Sequence, residues 1–213
     1  MDKYTEPDFP SSALITIDTQ QDTLDGQPLE IPGTSFILPK MKKLLDLFRE
    51  KRKHIVHIIR IYKTDGSNVD LCRRLAFENG EKFLFEGGKV SNLAEELSPY
   101  STIVLDTAKL LSGKIQEIAE NEVIIYKSRW GVFYKTPLEN YLREKEIDTL
   151  IFSGCNFPNC PRASIYEASE RDFKIILAYD AVSGIYKPGI DEMKNIGVNI
   201  FSAGEIIKEL NSL

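Results

Sequence analysis

Short apolar runs alternate with longer amphipathic segments along most of this chain, and that alternation restricts the fold more than any other feature. Ala13–Asp18 (ALITID) reads as a buried strand ending in an acid, and His54–Tyr62 (HIVHIIRIY) as a second, rich in β-branched residues. Val123–Tyr126, Leu150–Ser153, Lys174–Tyr179 and Val198–Phe201 read as further strands. Between them, Phe36–Arg52 carries apolar residues at helical spacing and a basic end. Pro137–Lys145 is predicted to be helical with Thr136 as N-cap, and Pro161–Arg171, Pro188–Asn195 and Ala203–Leu210 are predicted helices. Strands alternating with helices imply a parallel sheet covered on both faces. The expectation is a three-layer α/β/α, doubly wound sheet of about six parallel strands, in one domain over residues 1–213. The polar stretch Lys63–Ser101 is expected to hold one or two short helices, and Ser101–Asp106 a short extra strand.

Charge and composition exclude several classes of function. Hydrophobic residues at 42% and charged residues at 28% suit a globular chain rather than a disordered one. With 32 acidic against 27 basic residues there is no electrostatic footprint for nucleic acid or an anionic membrane. No apolar run is long enough to span a bilayer, and Met1–Ser12 does not read as a secretory leader, so a cytoplasmic protein acting on a small molecule is expected. The cysteines are Cys72, Cys155 and Cys160, an odd number that argues against a disulfide framework. With only His54 and His57 besides, they complete no zinc site, and no metal or other cofactor is expected. Three residues apart in a strand, those histidines should point to opposite faces, one packed and one exposed.

In doubly wound sheets ligands bind beyond the carboxyl ends of the strands. Here those places hold Asp18, Lys127, the loop Gly154–Cys160, and Asp180. Gly154 permits a sharp turn, and Pro161 suits a first helical turn, which puts Cys160 at the helix N-terminus. A thiol there meets the positive end of the helix dipole, an arrangement expected to lower its pKa. The neighbouring N–H groups could hold an oxyanion. Asp18 can take a proton from the thiol, and the Lys127 ammonium can balance both charges. Taken singly, Cys160 reads equally as a small core residue, Asp18 as a structural acid and Lys127 as a surface lysine. Their coincidence at strand ends favours chemistry.

The motifs in order resemble the isochorismatase-like cysteine hydrolases. Asp18-Thr-Gln-Gln-Asp22 resembles the family's D-x-Q-x-D start, Lys127 to Phe133 followed by Thr136-Pro-Leu its K-x-x-x-x-x-F segment, Gly154 to Cys160 its nucleophile loop, and Tyr179 to Gly184 its D-A element. The resemblance implies Asp18 as proton acceptor, Lys127 as electrostatic partner and Cys160 as nucleophile. It also implies the N–H groups of Asn156 and Cys160 as oxyanion hole, a cis peptide near Cys155–Asn156, and a dimer or tetramer. Thr23 stands where the family carries an aromatic, and Phe157 and Pro161 where it often carries Thr and Val, so both are expected to shape the pocket wall. Trp130 and Phe133 are expected in the same wall, and Arg60 and Asn68 near a polar substrate. Nicotinamidases of the superfamily bind a metal beyond the second strand, where this chain has no His. The thiol favours cleavage of an amide, ureide or lactam C–N bond through a thioester. A vinyl-ether hydrolase of the isochorismatase type and a noncatalytic binding protein on the same fold are the alternatives.

Overall fold

A computed structural model describes residues 2–87, 92–100 and 103–213 of the chain. Its strands are β1 (Ser12–Ile17), β2 (His54–Ile59), β3 (Gln116–Ala119), β4 (Glu122–Tyr126), β5 (Thr149–Gly154), β6 (Lys174–Val182) and β7 (Asn199–Phe201). Its α-helices are α1 (Thr34–Glu50), α2 (Arg74–Glu78), α3 (Thr107–Leu111), α4 (Leu138–Glu144), α5 (Cys160–Ser169), α6 (Lys187–Asn195) and α7 (Ala203–Asn211). The strands form one sheet in the order β3-β4-β2-β1-β5-β6-β7. Every neighbouring pair is parallel except β3 with β4.

Alternation along the strands explains the three layers. Ala13, Ile15 and Ile17 of β1 and Leu150 and Phe152 of β5 face a core closed by Leu138 and Leu142 of α4, Ile165 of α5 and Met193 of α6. Leu14 and Ile151 face the opposite core, closed by Met41, Leu44 and Phe48 of α1 and Ile206 and Leu210 of α7. Each such side chain withdrawn from water contributes about 1.5–3 kcal/mol. A strand buried on both faces therefore reads as an unbroken apolar run.

The expected six parallel strands become seven, because β3 adds an antiparallel edge. Its sequence, Gln116-Glu-Ile-Ala119, is short and half polar, so no periodicity marks it. Of the expected strand Ser101–Asp106, residues 103–106 have no regular structure, and the first two positions lie outside the described residues. The described part of Lys63–Ser101 holds α2 and 3-10 turns at Leu71–Arg73 and Glu95–Leu97. Helix α4 begins at Leu138 with Pro137 flanking it, and the Thr136 hydroxyl donates to the Val132 carbonyl.

The histidines do separate onto two faces, but neither is fully exposed. His57 is completely buried, its two ring nitrogens each 2.7 Å from a partner, Thr16 Oγ1 and Glu122 Oε1. His54 is half-buried, with Nδ1 3.2 Å from the Tyr141 hydroxyl. Among the described residues no helix is long and apolar enough to cross a membrane.

Candidate active site

The carboxyl ends of β4, β2, β1 and β5, four adjacent strands, deliver Lys127, Arg60, Asp18 and the loop from Cys155 to Cys160 to one edge of the sheet. The backbone ties these strand ends together. The N–H of Asp18 donates to Ile58 O at 2.9 Å, that of Lys127 to Ile59 O at 3.0 Å, and that of Cys155 to Ile17 O at 2.9 Å. Asp18 holds a left-handed φ of +50°, a conformation rare for a side-chain-bearing residue and found where a site imposes it.

The three residues singled out in sequence meet here. Lys127 Nζ donates to Asp18 Oδ2 at 2.7 Å and lies 3.2 Å from Cys160 Sγ. The same ammonium donates to Arg129 O at 3.2 Å. Lys127 is fully buried, Asp18 7% exposed and Cys160 6% exposed, so the ion pair works in a low-dielectric setting, where losing one partner would strand a charge. Among the described residues the buried Asp18 Oδ1 has no hydrogen-bond partner, leaving a lone pair open to a proton.

Cys160 is the first residue of α5, with Pro161 following it. N–H groups of a first helical turn have no acceptor inside the helix. The thiol is nevertheless not held low, as helix and lysine alone would suggest. Burial first, and the negative charge of Asp18 second, push it up to about 11 against the pull of Lys127 and Arg60. At neutral pH Cys160 is therefore a thiol, held beside the Asp18 carboxyl group and the Lys127 ammonium. Cys155, fully buried, has its pKa raised too, by burial first and Asp18 second, and its Sγ donates to Asp18 O at 3.0 Å. The Cys155–Asn156 peptide is cis.

Gly154 is required where the nucleophile loop leaves the sheet. Its φ is +113°, and a Cβ there would lie 2.2 Å from Ile17 O. That close approach seats the loop over β1.

A cavity of about 370 Å³ adjoins the site, with Asp18 and Cys160 in its lining and Lys127 outside it. Arg60, Arg73, Lys82 and Trp130 line it too. Trp130 and Asn156 are among the lining residues, and Phe133 and Phe157 are not. Phe133 stacks on Phe173 with ring centroids 5.7 Å apart, and Phe157 is fully buried with its ring 5.5 Å from that of Tyr186. Both belong to the core beneath the site, because the α5 and α6 layer needs apolar rings more than the cavity does. Asp180 is also redirected. β6 continues through it to Val182, and its carboxylate accepts the N–H of Ala203 at the start of α7.

No sequence signal marks Asp70, Arg73 or Lys82, and Gln20 enters the sequence reading only as the Q of the D-x-Q-x-D element. Gln20 clamps β2 through both amide atoms, Nε2 donating to Arg60 O at 3.0 Å and Oε1 accepting Arg60 N at 2.8 Å. Asp70 is 2% exposed and is surrounded by Arg60, Arg73 and Arg129 at 3.0, 2.7 and 3.6 Å. Arg60 also donates to Ser128 O and Arg129 O. Asn68 Nδ2 donates to Ile61 O and the Tyr126 hydroxyl, bracing this loop. A carboxylate ringed by guanidinium groups is not a donor set that fits a divalent cation. Among the described residues no three His, Cys, Asp or Glu are grouped to hold a metal ion.

A doubly wound sheet with thiol, ammonium and carboxylate in contact beyond its strand ends is the layout of a cysteine hydrolase. The chain belongs to the isochorismatase family: the isochorismatase domain model matches residues 12–203. It is 26% identical over 209 residues to a probable inactive nicotinamidase of Arabidopsis thaliana, covering 94% of this chain and 96% of that one. It is 23% identical over 195 residues to N-carbamoylsarcosine amidase of an Arthrobacter species, covering 90% and 67%. Among solved structures, an isochorismatase family protein of Desulfovibrio vulgaris superposes with a TM-score of 0.79 at 25% identity, covering 94% and 98%.

Proposed function

We propose that this protein hydrolyses a C–N bond of a small amide, ureide or lactam through a thioester on Cys160. The observation that carries the reading is the contact of Lys127 Nζ with both Asp18 Oδ2 and Cys160 Sγ inside a cavity-lined site. Similarity to N-carbamoylsarcosine amidase supports the bond class.

In the proposed route the Cys160 proton passes to Asp18 as the sulfur bonds to the substrate carbonyl carbon. The oxygen takes up the negative charge and is held by the N–H groups of Asn156 and Cys160. As the intermediate collapses, the C–N bond breaks and the leaving nitrogen takes the proton from Asp18. Asp18 next removes a proton from water, whose oxygen attacks the thioester. The C–S bond breaks, the acid departs, and Asp18 passes the proton it took from water to the sulfur, which restores the resting thiol and carboxylate. Lys127 stays charged throughout and stabilises whichever neighbour is anionic.

This route predicts that Cys160→Ala abolishes turnover across a panel of small amides and ureides while the fold persists. Undiminished turnover by Cys160→Ala would exclude it and favour acid-only chemistry, as in vinyl-ether cleavage.

A further inference from the structure

Among the described residues, the lining of the cavity beside Cys160 holds the cations Arg60, Arg73 and Lys82 against the anions Asp18 and Glu81. Arg60, Arg73 and Arg129 converge on the single carboxylate of Asp70. Two of the three have roles within the protein. Arg60 is buried and bound to Asp70 and two carbonyls, and Arg129 donates to the carbonyls of Asn68 and Ser128. Arg73 differs. Its side chain is 35% exposed, its guanidinium lies 4.4 Å from the Trp130 ring centroid, and both residues line the cavity that Asp18 and Cys160 line. Lys82 adds a cation to that wall and Glu81 an anion.

A guanidinium stacked on an aromatic face and tethered by one carboxylate is held in orientation at little further entropic cost. Such a planar fork suits a carboxylate. Within low-dielectric walls the surplus positive charge concentrates anions near the thiol. We propose that the substrate carries a carboxylate besides its scissile C–N bond, and that Arg73, seated on Trp130, binds that carboxylate and sets specificity. The proposal rests on Cys160 being the nucleophile.

Iodoacetate and iodoacetamide test it without knowledge of the substrate, because they differ by a charge and both transfer a carbon to sulfur with loss of iodide. Labelling of Cys160 is followed by peptide mass spectrometry in a Cys72→Ser background, with free cysteine as reference. The expected iodoacetate-to-iodoacetamide rate ratio is at least about tenfold above that of free cysteine. It should fall to the reference value in Arg73→Met, survive largely in Arg73→Lys, and shrink at high salt. A wild-type ratio equal to that of free cysteine overturns the anion inference while leaving the nucleophile intact. A high ratio unchanged by Arg73→Met overturns the assignment to Arg73. Absence of labelling by either reagent is compatible with the raised thiol pKa, and the calorimetric comparison then decides the anion inference. Calorimetry on Cys160→Ala gives the same comparison without thiol chemistry. Succinamate should bind at least about tenfold more tightly than butyramide, and equal affinity contradicts the proposal.

Discussion

Lys127 and Cys160, 33 positions apart in the chain, meet at 3.2 Å between ammonium and sulfur. The lysine spans from thiol to Asp18 carboxylate, so it can stabilise charge on either while a proton moves between them. Lys127→Met leaves Asp18 without its partner in a buried setting. A loss of about 3–5 kcal/mol in stability is expected by urea titration, together with loss of hydrolysis.

Asp18→Asn preserves shape and removes the base. Turnover should fall by about 10²–10⁴-fold, with the fold retained by circular dichroism. A fall of less than about tenfold would remove Asp18 from the proton path.

The alkaline behaviour follows from the raised thiol. The folded-state value is about 11, above the ordinary 9.0, so the folded form holds the proton longer than the unfolded chain does. Stability from this group is fully present below the ordinary value and is lost as pH rises through about 11. Cys160→Ala should therefore flatten the alkaline decline of stability. In activity, the proposed route, in which Asp18 removes the proton, predicts no rise near the ordinary thiol pKa of the kind that a free thiolate mechanism gives.

Acid stability depends on Glu122. Burial raises its pKa, but hydrogen bonds from Arg49 and His57 outweigh burial and hold the carboxyl at about 2, below the ordinary 4.5. Its contribution is present above the ordinary value and is lost as pH falls through about 2. Glu122→Gln should cost on the order of 3 kcal/mol at neutral pH and much less in strong acid, read from denaturation midpoints at several pH values.

Gly154→Ala places a Cβ 2.2 Å from Ile17 O at a φ that disfavours side chains. Either β1 and β5 separate or the nucleophile loop shifts. A stability loss of about 2 kcal/mol or more is expected, and a large loss of activity even where the protein remains folded.

The catalytic candidates were legible because parallel sheets restrict where chemistry can sit. Asp18, Lys127 and the loop to Cys160 each follow an apolar run, and strand ends on one edge must converge. What escaped depends on side-chain direction or on irregular backbone. Phe133 and Phe157 lie within a few residues of Lys127 and Cys160, yet their rings turn into the core, which linear spacing does not reveal. Asp70 and Arg73 flank and end a short 3-10 turn in a stretch with no periodicity, so their meeting with Arg60 leaves no sequence signal. β3 is too short and polar to be seen. The raised thiol pKa leaves no sequence signal, because helix dipole and lysine are visible in a sequence, whereas the depth of burial at Cys160 is not.

The most direct measurement is acid-quenched mass spectrometry of the protein incubated with the panel of small amides and ureides. The account predicts an acyl group on the Cys160 peptide, formed with release of the amine and lost as the acid appears. An acyl group on another residue, or steady hydrolysis by Cys160→Ala at the wild-type rate, would contradict it.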